Sequence, residues 1–148
     1  MLGRFERFCN AISAIHLAIQ KIERDEMAKY DLKGAHAQYM LIMGQHPEGI
    51  TAAQLCTVCE KDKAAISRAV AELEEAGMIV RRDPDGKRYR SRLFLTEKGA
   101  VVAEDVSQTM HHAVSMISQG YDVEQREIFV NVLNRIAGNL QTLCREGL

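Results

Sequence analysis

Large apolar residues recur near the start of the chain at Phe5, Phe8, Ile12, Ile15, Ile19 and Ile22, alternately three and four positions apart. That spacing holds one stripe on one side of an α-helix, the pattern of a helix-packing seam. "YDLKG", residues 30 to 34, interrupts it, and "AHAQYMLIMGQH" predicts a second helix to about His46, where Pro47 and Gly49 cannot continue it. Thr51 has the chemistry of an N-cap for a short helix from Ala52 to about Val58, with Leu55 and Val58 facing inward. Asp62 is a second such cap, opening a helix that buries Ile66, Val70 and Leu73 and stops at Gly77. Two helices joined by a tight turn predict a helix-turn-helix.

After Gly77 the period changes. "MIVRRD" reads as a short strand with Ile79 on one face, "PDG" as a turn, and "RSRLFLT" as a returning strand in which Leu93 and Leu95 alternate with Arg92 and Phe94. A hairpin following a helix-turn-helix makes a winged helix. Thr96 then caps a long helix carrying Val102, Val106, Met110, Val114 and Ile117. Gly120 to Asp122 break it, and a last helix from about Val123 to Cys144 carries Phe129, Leu133, Ile136, Leu140 and Leu143. The expected fold class is mainly α with a small β-hairpin (α+β), a dimeric winged helix-turn-helix with about six helices. Residues 1–148 are read as one domain, with 47–99 as the reading lobe and 1–30 and 100–148 as dimerisation helices. Phe5, Phe8, Ile12 and Ile15, with Phe129, Leu133, Ile136 and Leu140, are the expected dimer contacts. Each is costly to leave in water, since burying one such side chain is worth about 1.5–3 kcal/mol. The spacing alone also permits the two stripes to pack on each other within one chain.

The helix after Asp62 presents Lys63, Ala64, Ser67, Arg68 and Ala71 opposite its buried stripe, all small or able to donate hydrogen bonds. Glu72, Glu74 and Glu75 crowd its C-terminal end, so the half that enters a groove in such motifs is free of acids apart from the cap. Charge follows the same division. The chain carries a net −1, but Lys61 to Lys98 hold ten Lys/Arg and seven Asp/Glu, and Met78 to Arg92 hold six against two. A basic patch on an otherwise acidic molecule is the compositional footprint of nucleic-acid contact. Lys63, Ala64, Ser67 and Arg68 are therefore candidate groove contacts, and Lys87, Arg88, Arg90 and Arg92 candidate wing contacts to double-stranded DNA. Arg81 and Arg82 flank the first strand as phosphate contacts or as ion-pair partners of Asp83 or Glu75.

Other chemistries find less support. Cys56 and Cys59 form a C-x-x-C, but no second Cys/His pair lies at zinc-finger or ribbon spacing, and a spacing of three also describes one buried helix face. Cys9 and Cys144 complete a set too sparse for a disulfide framework. There is no phosphate-binding Gly-rich loop, no G-x-S-x-G and no H-E-x-x-H, so no enzyme is expected, and no cofactor. No apolar run is long enough for a bilayer and the N-terminus lacks a signal-peptide pattern, making the expected location the cytoplasm. The competing function is a winged helix used for protein contact with weak or no DNA binding. Lys63, Ser67, Arg68 and the basic wing argue against it.

The segments "GITAAQLCTVCEKDKAAISRAVAELEEAGMIVRRDPDG" and "LFLTEKG", following a long first helix, resemble the MarR family of transcriptional regulators over nearly the whole chain. "ISRAVAELEEAGMIVR" matches that family's recognition helix and first wing strand. The resemblance implies a homodimer whose terminal helices interlock across a two-fold axis, acting on a palindromic operator, most often as a repressor released by an effector. Such effectors include lipophilic small molecules, oxidants at a cysteine and zinc. Cys9 and the histidines His16, His36, His111 and His112 carry no clear signature of the last two. One departure stands out. Many members carry an Asp followed by two basic residues in the wing. Counted back from Leu95-Thr96, that Asp falls at Lys87 and the usual arginine at Tyr89, so Arg88 and Arg90 share the wing role.

Overall fold

A computed structural model describes residues 2–83 and 91–147. The "PDG" turn and the expected wing contacts Lys87, Arg88 and Arg90 lie outside the described residues. In chain order the elements are α1 (Leu2–Ala28), α2 (His36–Gly44), α3 (Ala52–Cys59), α4 (Lys63–Glu75), β1 (Ile79–Arg82), β2 (Arg92–Leu95), α5 (Glu97–Ile117) and α6 (Val123–Glu146). This is the expected mainly α architecture with a two-stranded antiparallel hairpin.

Local chemistry explains most boundaries. Thr51 and Gln54 form a reciprocal capping box: the Gln54 amide donates to Thr51 Oγ1 at 3.2 Å and the Thr51 amide to Gln54 Oε1 at 2.9 Å. The Ala65 amide donates to Asp62 Oδ1 at 2.7 Å, starting α4. Gly77 follows α4 at φ +74°, where a Cβ would be strained. The Gly99 amide donates to Thr96 Oγ1 at 3.0 Å, opening α5. A second capping box, Asp122 with Gln125, starts α6.

β1 and β2 pair in the register Ile79↔Leu95 through Arg82↔Arg92. Ile50 extends the ladder, exchanging backbone bonds with Leu93 at 3.1 and 2.8 Å just before α3. The hairpin is thereby fastened to the start of the helix-turn-helix.

The described chain divides into two compact units, Met1–Met110 and His111–Leu148. The core of the first is built from Tyr39 and Met40 of α2, Leu55 of α3, Ile66 and Leu73 of α4, and Ile79 and Leu93 of the hairpin. It also takes Met27 from the end of α1 and Val102 and Val106 from α5, so the segments expected for dimerisation contribute to this core as well. Tyr30 Oη donates to Asp105 Oδ2 at 2.6 Å, tying the end of α1 to α5.

One expected facing is corrected. Val58 is 53% exposed, and Cys59 points inward in its place. The helix runs one residue further than expected before Glu60 turns it in a left-handed conformation, which brings position 59 onto the Leu55 face. Burial pushes the Cys59 thiol pKa up, keeping it protonated, as a packing role requires.

Candidate nucleic-acid interface

α4 buries Ile66, Ala69, Val70 and Leu73 and turns Lys63, Ala64, Ser67, Arg68 and Ala71 to the surface, as its sequence period demands. Among the described residues, none of Lys63, Ser67 and Arg68 is bonded to a protein partner by side chain. Two cations and a hydroxyl therefore stand open, separated by methyl-sized side chains that permit close approach.

The acids at the other end of α4 are engaged. Glu72 accepts from Lys33 Nζ at 2.6 Å on one oxygen and from His36 Nε2 at 2.8 Å on the other. The Lys33 hydrogen bond leads in holding the Glu72 carboxyl below its ordinary pKa. His36 is itself buried, and burial pushes its pKa down in spite of the carboxylate beside it. Its Nδ1 accepts the Lys33 amide at 3.3 Å, which assigns the proton of the neutral ring to Nε2, facing Glu72. Glu74 accepts from Arg81 Nη2 at 3.2 Å, joining α4 to β1. The partner of Arg81 is thus Glu74 rather than Asp83 or Glu75, with Ser91 Oγ receiving a second bond at 3.4 Å.

The strand cations separate in the same way. The Arg82 guanidinium lies over the Phe94 ring, 4.9 Å from its centroid. Arg92 is half-buried and donates from Nη1 to the Gly49 carbonyl at 3.1 Å, pinning β2 to the loop before α3. Sequence reasoning missed these assignments because Arg92 and Gly49 lie 43 positions apart and no local spacing links them. Beside α4, a hollow of about 450 Å³ is lined by Ala52, Ala53, Cys56, Lys63, Ser67 and Arg81. Among the described residues no group of three His, Cys, Asp or Glu is arranged to hold a metal ion. No described helix is long and apolar enough to cross a membrane.

The expected dimer contacts lie on two exposed stripes. Phe5 is 65% exposed, and Phe8, Ile12 and Ile15 are also open to solvent along α1. On α6, Phe129 is 59% exposed and Leu140 is open, while Leu133 and Ile136 are half-buried.

Comparison with known proteins agrees with this geometry. The MarR family model matches residues 30–88, which include α2, α3, α4 and β1. The uncharacterised HTH-type transcriptional regulator YybA of Bacillus subtilis (strain 168) is 25% identical over 130 residues, 88% of this chain and 86% of its own. A MarR family regulator from Listeria monocytogenes, solved in complex with a 26mer DNA, superposes with a TM-score of 0.82 at 20% identity, covering 94% of both chains. MepR of S. aureus, also solved with DNA, superposes with a TM-score of 0.79 at 15% identity over 88% of this chain and 94% of that one.

Proposed function

We propose that this chain, whose residues 30–88 match the MarR family model, is a homodimeric regulator of that family that grips double-stranded DNA with α4 in the major groove and the wing along the backbone. The observation that carries the reading is the open face of α4, where Lys63, Ser67 and Arg68 have no side-chain partner among the described residues while Glu72 and Glu74 are drawn away into ion pairs. Arg68 is the base-reading candidate, since a guanidinium pairs with guanine through two parallel hydrogen bonds, with Lys63, Ala64 and Ser67 beside it. Lys87, Arg88, Arg90 and the remaining donors of Arg92 are assigned to phosphates.

Two copies joined through Phe5, Phe8, Ile12 and Ile15 and through Phe129, Leu133, Ile136 and Leu140 would present paired recognition helices about 34–36 Å apart. A palindromic operator matches that spacing. In this arrangement 47–99 is the reading lobe and 1–30 and 100–148 the dimerisation helices. Repression follows if the bound dimer occludes a promoter. An organic anion seated in the hollow between Lys63 and Arg81 would compete with DNA for Lys63 and Ser67 and release it. The work is assigned to the cytoplasm, where the DNA is.

The test uses duplexes selected by the protein from a random pool, against unselected duplex of the same length. Arg68→Ala is expected to cost about 1–3 kcal/mol on the selected duplex and to relax preference at one base pair. Arg88→Ala is expected to weaken both duplexes alike and to flatten the dependence of log Kd on log salt by about one. Unchanged DNA retention in both variants would sink the groove-and-wing reading.

A further inference from the structure

The apolar stripe of α4 holds the helix against the core but does not define its rotation sharply, because hydrophobic burial is non-directional. Directional contacts have to do that. Glu72 makes two, one on each carboxylate oxygen, and both come from one short segment: Lys33 in the turn before α2 and His36 at its first residue. That segment is fixed in its own right. The His36 amide donates to the Lys33 carbonyl at 2.9 Å, and the ring is only 4% exposed. Gly34 lies against the backbone of α1, where an added Cβ would stand 3.1 Å from the Cα of Arg24.

Glu72 is therefore fastened to a rigid corner formed by the end of α1 and the start of α2. Arg68 lies four residues before it, one helical turn away along the same face. A carboxylate at that spacing is the natural local partner for Arg68, yet both of its oxygens are taken by Lys33 and His36. Shifting or rotating Glu72 would carry Arg68 with it.

We propose that Glu72, gripped by Lys33 and His36, is a positioning residue that sets the pose of the recognition helix and so the sequence preference of DNA binding. The proposal rests on the DNA-binding reading above. It predicts an effect opposite in sign to simple electrostatics. Removing a negative charge near a phosphate backbone should tighten binding to every duplex by a similar factor. Removing a positioning contact should instead weaken the selected duplex and leave the unselected one as tight or tighter.

The experiment measures Kd on selected and unselected duplexes at one salt concentration and pH 7.5 for the full chain, Glu72→Gln and His36→Phe. The histidine change is neutral in charge, since the ring is unprotonated there, and it removes the Nε2–H donor. Both variants are expected to lower the ratio of selected to unselected affinity by about tenfold, comparable to one misread base pair. Thermal unfolding is followed alongside. If His36→Phe does not fold, Glu72→Gln decides alone, because its side chain is partly exposed and its loss opens no cavity in the core. A ratio unchanged in Glu72→Gln, or both duplexes bound more tightly by one common factor, overturns the proposal while leaving the DNA reading intact. Failure of the unaltered protein to retain either duplex in a salt-dependent manner overturns the DNA reading, and the positioning role with it.

Discussion

His36 shows how one residue couples burial, hydrogen bonding and charge. The ring is surrounded by protein, faces Lys33 on one side and Glu72 on the other, and is held neutral mainly by desolvation. Its folded pKa lies below the ordinary histidine value of about 6.5. A depressed value means that the unfolded chain binds the proton more readily, so stability rises with pH across that interval. The contribution is complete above the ordinary histidine value and is lost as pH falls through the lower folded-state value. Thermal unfolding midpoints between pH 7.5 and pH 4.5 should therefore fall more steeply for the unaltered protein than for a folded His36→Gln variant; parallel curves would remove histidine desolvation as the cause. Glu72, held below the carboxylate range, should add its loss only at still lower pH. None of this was legible in sequence. Lys33 and Glu72 are 39 positions apart, and the three acids at the end of α4 read equally well as a solvated face.

Elements were far more legible, because caps and periodicity act within one or two turns. Thr51, Asp62 and Thr96 supply the side-chain acceptors that their positions suggested, and Gly77 takes the left-handed turn after α4. The capping box at Asp122 shows that the interruption at Gly120 to Asp122 is also an active start signal for α6. Val58 went astray because Leu55 has helical neighbours on both sides, at i+3 and i+4, and α3 runs on through Cys59, so that the i+4 position meets the core. The joint between hairpin and α5 exerts a constraint of a different kind. A Cβ at Gly99 would stand 1.9 Å from the Met78 carbonyl oxygen, which already accepts the Thr96 amide at 2.9 Å. Backbone cannot step aside there as a side-chain tip would. Gly99→Ala should cost about 3 kcal/mol in denaturant unfolding, the upper range for overpacking; a loss under about 0.5 kcal/mol, as at ordinary surface sites, would mean the joint is not tight.

At the scale of the whole molecule, the exposed stripes on α1 and α6 dominate. Phe5 and Phe129 are each more than half exposed, and Ile15 and Leu140 are about half exposed, so much of this apolar surface faces water in one chain. A second copy is the covering that the proposed two-fold grip on DNA requires. Sedimentation should give a dimer, and the double change Phe129→Glu with Leu140→Glu should shift it to monomer. Two half-sites would then no longer be held jointly, and affinity for a palindromic duplex should fall by about 100-fold or more. A variant that remains dimeric with full affinity would place the contact elsewhere. Helix periods, caps and the change to strand alternation are local properties, so the amino-acid sequence by itself determined the order of elements and which side of α4 is apolar. The fold decided which charges remain free. Among the described residues Lys63 and Arg68 stand open while Arg81, Arg92, Glu72 and Glu74 are bonded to protein and Arg82 lies over Phe94, because those partners lie seven to 43 positions away or across a strand pair. Only folding brings such groups within hydrogen-bond reach.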